Sequence, residues 1–132
     1  MHNMQIVTLH LFATWAGVLG GVLSGAALGL FFHREDWLGG YSSYSRRLIR
    51  LGHISFFGLG FLNALFALTI SVVPLREFTV HLASIGLLTG AITMPLCCFA
   101  AAWRKPLRCL FPIPVVSLLG STGLVVLILA RS

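Results

Sequence analysis

Five histidines stand in a chain that has few other side chains fit for chemistry: His2, His10, His33, His53 and His81. His10, His53 and His81 fall inside long apolar segments. There an ionisable residue is costly, and it is a functional hypothesis by default. Imidazole can ligate iron, bond a quinone carbonyl or bond the main chain of a neighbouring helix. The spacing of His10 and His81 is the most suggestive. Each lies about one turn inside one end of its apolar segment, and the two segments are separated by one reversal pair, which puts the rings at similar depth. Two facing histidines at one depth are what a haem b with two axial imidazoles requires. His10 and His81 are therefore the expected metal ligands.

Small residues accompany these histidines. Ala13, Gly17, Gly21, Gly25 and Gly29 recur every fourth residue. At about 100° per residue, Gly17 and Gly21 share the face of His10. Gly60, Ala64, Ala67 and Ser71 similarly share the face of His53. A flat ring between helices needs such a wall, so Gly17, Gly21 and Gly60 join His10, His53 and His81 as candidate cofactor-binding residues, with haem b first and quinone near His53 second. The same stripes also serve plain close packing of membrane helices. His33 is expected to be an interfacial, solvated residue beside Arg34.

Other chemistries lack their residues. No Asp or Glu lies in an apolar segment, against proton-coupled transport. No nucleophile with a base and an orienting partner is visible, and the glycines form no phosphate loop. Cys97, Cys98 and Cys109 show no CxxC spacing and are read as small packing residues. Asn63, Thr69, Thr89 and Thr93 are read as hydrogen-bonders between helices.

The elements that must position these groups are membrane spans. The 132 residues are 58% hydrophobic and 9% charged, with a mean hydropathy of +0.96. Soluble domains carry roughly 25% charged residues. Charge-free runs predict helices over 5–32, 49–73, 78–102 and 110–130, each near the ~20 residues a span needs. The first run lacks a basic flank before it and is too long for a signal peptide, so it reads as a retained span. The whole chain, 1–132, is expected to be one membrane domain of an all-α class, a four-helix up-down bundle. Pro74 should end helix 2, and Pro95 should kink helix 3.

Seven of the nine basic residues flank one side: Arg34, Arg46, Arg47, Arg50, Arg104, Lys105 and Arg108. Only Arg76 and Arg131 flank the other. The positive-inside rule places the seven in the cytoplasm and both termini outside, in a multi-pass protein of the cell (inner) membrane. The net charge of +6 then speaks for anionic lipid at Arg46, Arg47, Arg50, Arg104, Lys105 and Arg108 rather than for nucleic acid. In helix number and histidine placement the chain resembles four-helix membrane cytochromes and the haem-carrying anchors of respiratory dehydrogenases. That likeness implies an electron-transport subunit that depends on partner subunits for its redox exchange. The alternative is an accessory subunit without cofactor that stabilises or assembles a larger membrane complex.

Overall fold

The computed structural model describes residues 2–131 as an all-helical chain. Its helices are α1 (His2–Phe31), α2 (Tyr44–Val72), α3 (Glu77–Trp103) and α4 (Pro112–Leu129). Short 3₁₀ turns at Trp37–Gly39 and Lys105–Leu110 join α1 to α2 and α3 to α4. All four helices are long and apolar enough to cross a membrane, the pattern of a multi-pass membrane protein.

Helix ends follow local chemistry. Ser43 caps α2, its hydroxyl accepting from the Arg46 amide at 3.2 Å. The helix therefore begins at Tyr44, five residues before the expected start at 49. Hydropathy marks where hydrocarbon begins, whereas the cap marks where helix begins, and Arg46 and Arg47 lie in the difference. Pro74 does end α2: the last bond is from the Val73 amide to Thr69. Pro95 does not end α3, which continues to Trp103.

Consecutive helices meet in reversed order. Gly17 of α1 meets Gly60 of α2, Gly20 meets Phe56, and Gly25 meets His53. Gly52 meets Cys98 and Phe99 of α3, and the Ser45 hydroxyl donates to the Ala102 carbonyl at 3.0 Å. Gly86 and Gly90 of α3 meet Ser121 and Leu118 of α4. A side chain at Gly17 would place its Cβ 2.8 Å from the Phe56 carbonyl oxygen, which is main chain and cannot move aside. Here glycine is what allows α1 and α2 to touch. Gly29, by contrast, has nothing within 4 Å of a would-be Cβ.

The core gathers at the end of the molecule holding the α2–α3 connection. Ile6, Phe66, Ile70, Val80, Ala83 and Leu87 pack together there. Leu118, Leu124 and Val125 bring α4 against the same cluster. The outward faces are apolar, and Trp15 is 71% exposed, as expected of a residue turned to lipid or to a partner.

Candidate functional site

His10 is fully enclosed, at 0% exposure, and its ring joins three helices. Nδ1 lies 2.6 Å from Asn63 Oδ1 of α2, and Nε2 lies 2.8 Å from Ser84 Oγ of α3. The protons can be assigned from the surroundings. Asn63 Nδ2 donates to the Leu59 carbonyl at 2.7 Å, so its Oδ1 must be the atom facing the ring. Nδ1–H therefore donates to Asn63, and Nε2 accepts from the Ser84 hydroxyl. Thr14, one turn on from His10, donates to the carbonyls of His10 and of Gly60 at 2.9 and 3.1 Å. The Phe66 ring closes the site edge-on, 4.6 Å from the imidazole centroid.

Serine, imidazole and amide here have the connectivity of a nucleophile, a base and an orienting group. The sequence reading found no such set, because its members lie 53 and 74 residues apart from His10 along the chain. Enclosure decides its use. Ser84 is only 5% exposed and Asn63 is fully buried, so nothing from outside reaches the hydroxyl. What the arrangement does is satisfy the polar side-chain groups of His10, Asn63 and Ser84 in hydrocarbon, where each unsatisfied group costs several kcal/mol.

The other candidate residues are dispersed. From α3, Ser84 meets His10, three residues on from His81. The His81 side chain is 43% exposed, with Nε2 3.9 Å from Glu77 on its own helix. A ring ligated by both histidines would need Ser84 to leave Nε2 of His10 and His81 to turn from Glu77. His53 stands at the opposite end, where its Nδ1 lies 3.0 Å from Ser24 Oγ and its ring edge meets Phe57. Gly25 and Gly21 make room for these two rings, so that part of the stripe holds protein side chains. Gly17 and Gly60 hold each other's helices, as described above. His33 is exposed, just beyond the C-terminus of α1. Asn63 bonds between helices as expected, whereas Thr69 and Thr93 bond back to Leu65 and Thr89 of their own helices. Cys97 and Cys98 are buried and Cys109 is exposed. Among the described residues no three His, Cys, Asp or Glu side chains converge.

The basic end has its own architecture. Arg46 is 3% exposed and lies beneath the loop that joins α1 to α2. Its guanidinium stands 5.2, 5.7 and 5.4 Å from the ring centroids of Phe32, Trp37 and Tyr41. It also points at the carbonyls of Phe32, Arg34 and Glu35, at 3.4–3.5 Å. These carbonyls belong to the loop that follows the C-terminus of α1 at Phe31, and the negative end of the helix dipole just before them is a favourable neighbour for a cation. Leu38, in the same loop, takes a left-handed backbone (φ 54°) ahead of two positive-φ glycines, Gly39 and Gly40. Arg50 lies 4.4 Å from the Tyr41 ring, and Lys105 lies 5.9 Å from that of Tyr44. Arg46, named from sequence as a lipid contact, thus faces its own loop.

A sizeable hollow opens on the outer surface of the bundle. It is a half-open groove of ≈ 430 Å³ between α1 and α3, with α2 as its floor. Phe12, Leu88, Ala91 and Pro95 wall it, and Gly17 and Gly60 lie at its base. His10 and Ser84 are outside its lining. Compared with family models, characterised proteins and solved structures, the chain matches none.

Proposed function

We propose that the protein is a small accessory subunit of a larger membrane complex, a four-span up-down bundle of the cell (inner) membrane with both termini outside. The reversed pairing of residues along consecutive helices supports the topology. The seven basic residues on one side support the orientation. At that side Arg47, Arg104, Lys105 and Arg108 are exposed and rest on anionic lipid.

The observation that carries the reading is where the small residues are left open. Gly29 on α1, Gly58 on α2, and Gly120 and Gly123 on α4 all face outward, with nothing within 4 Å of a would-be Cβ. A lone bundle gains nothing from exposed glycine in a helix, which costs about 1 kcal/mol against alanine. Close approach by another membrane helix is what such positions provide. Inside the bundle the polar groups are already engaged with one another, His10 above all. Ligation of haem b by His10 and His81 is the less favoured reading, because Nε2 of His10 is held by Ser84.

Native electrophoresis of mild-detergent extracts from the protein's own membranes tests this. The full chain should run in a species much larger than 14.3 kDa. Gly120→Leu with Gly123→Leu should release it while leaving its helicity intact. A chain that runs alone and shows a reduced b-type spectrum, lost in His10→Ala, would overturn the proposal in favour of the haem reading.

A further inference from the structure

We propose that the groove between α1 and α3 binds an isoprenoid quinol, whose hydroxyl donates to the main-chain carbonyl of Ala91. This goes beyond the accessory role and stands on different residues. Every side chain that lines the groove is apolar, so its only hydrogen-bonding groups are main-chain. Pro95 stands four residues after Ala91, inside α3, and both line the groove. Proline has no N–H, so the Ala91 carbonyl lacks the donor that any other residue at 95 would return to it. Among the described residues no side chain replaces it: the nearby Thr93 hydroxyl is on Thr89. In hydrocarbon no water is at hand, and an unsatisfied carbonyl is expensive.

The depth and chemistry of this carbonyl select the occupant. Ala91 lies near the middle of α3, which places the acceptor near the bilayer midplane. Phospholipids keep their charged heads at the surface, since charge at the midplane is costly. An uncharged ring with a hydroxyl donor and a long isoprenoid tail can reside there. A volume of ≈ 430 Å³ lies within the usual range of ligand pockets, and Gly17 and Gly60 put no side chain into its base. The walls offer an acceptor and no side-chain donor. The oxidised quinone, which only accepts, gains nothing from Ala91, so the site prefers the reduced form.

The test uses the purified full-length chain in nanodiscs, with empty nanodiscs as the partition control. Binding of decylubiquinol, decylubiquinone and the dimethyl ether of the quinol is measured by equilibrium titration. The quinol should bind about tenfold more tightly than the other two, the effect of one hydrogen bond. Pro95→Ala restores the amide and should lower quinol affinity to that of the ether, leaving the ether itself unchanged. Ala91→Phe should abolish binding of all three. Equal affinity of the wild-type protein for quinol and ether, or no binding above empty nanodiscs, would overturn the proposal without recourse to any variant.

Discussion

Ser84 Oγ stands 2.8 Å from Nε2 of His10, on a different helix, and that contact determines what the imidazole is able to do. The nitrogen that would meet a metal instead accepts a hydrogen bond from the Ser84 hydroxyl. The other nitrogen is committed to Asn63. The ring therefore acts as a three-helix tie, and its removal should be felt as stability.

His10→Ala leaves the Asn63 carbonyl oxygen and the Ser84 hydroxyl without their partner, both of them buried. It should cost about 2 kcal/mol, within the usual penalty for an unmade buried bond. Ser84→Ala removes one bond and should cost about 1 kcal/mol, in the range found for polar contacts between membrane helices. Reversible unfolding in mixed micelles measures both. A double-mutant cycle should show the two effects to be non-additive. Independent effects would mean the contact carries no energy.

The two classes of glycine in α1 should respond oppositely. Gly17→Ala drives a methyl into the Phe56 carbonyl and should destabilise by about 1–3 kcal/mol, the cost of overpacking. Gly29→Ala meets open space and should be neutral or stabilising by up to about 1 kcal/mol in the isolated protein. The same pair of unfolding curves checks both. A destabilising Gly29→Ala in detergent would show that the open face is not open.

Arg46 should not be replaceable by lysine. A planar guanidinium can lie against Phe32, Trp37 and Tyr41 and still reach three carbonyls. An ammonium offers a single point charge and no plane. Arg46→Lys should loosen the loop at 33–43, read as faster amide exchange there with α3 and α4 unchanged. Unaltered exchange would show that the cage does not hold the loop.

The cysteines report the sidedness of the bundle. Cys109 is exposed, whereas Cys98 is fully buried and Cys97 nearly so. A membrane-impermeant maleimide should label Cys109 alone. It should do so in inverted vesicles and not in right-side-out ones. The opposite pattern would place the basic end outside.

The spans were legible in the sequence because hydrocarbon imposes length and composition on any helix that crosses it. The start of α2 was not, since Ser43 acts by a local cap that hydropathy does not register. The angular argument correctly put His10 on the small-residue face of α1, with Gly17. It could not say which residue of α3 would arrive there. Ser84 and His81 differ by less than one turn, and a small rotation of α3 decides between them. Gly21 and Gly25 were legible as room for a ring, but the rings that fill it are Phe57 and His53. Nothing in the local sequence of Arg46 separates it from Arg47, though one is enclosed and the other exposed. That difference belongs to the fold of the loop above it.

The loop's clasp on Arg46 is made without a carboxylate. Among the described residues neither Glu35 nor Asp36 forms an ion pair with it. A latch built on an acid would open when that acid took up a proton, and an exposed one would weaken in high salt. Rings and carbonyls have no proton to gain, and guanidinium keeps its charge at any pH a cell meets. The closure of this end of the molecule is thereby insulated from acid and from ionic strength, even as the exposed cations around it remain subject to both.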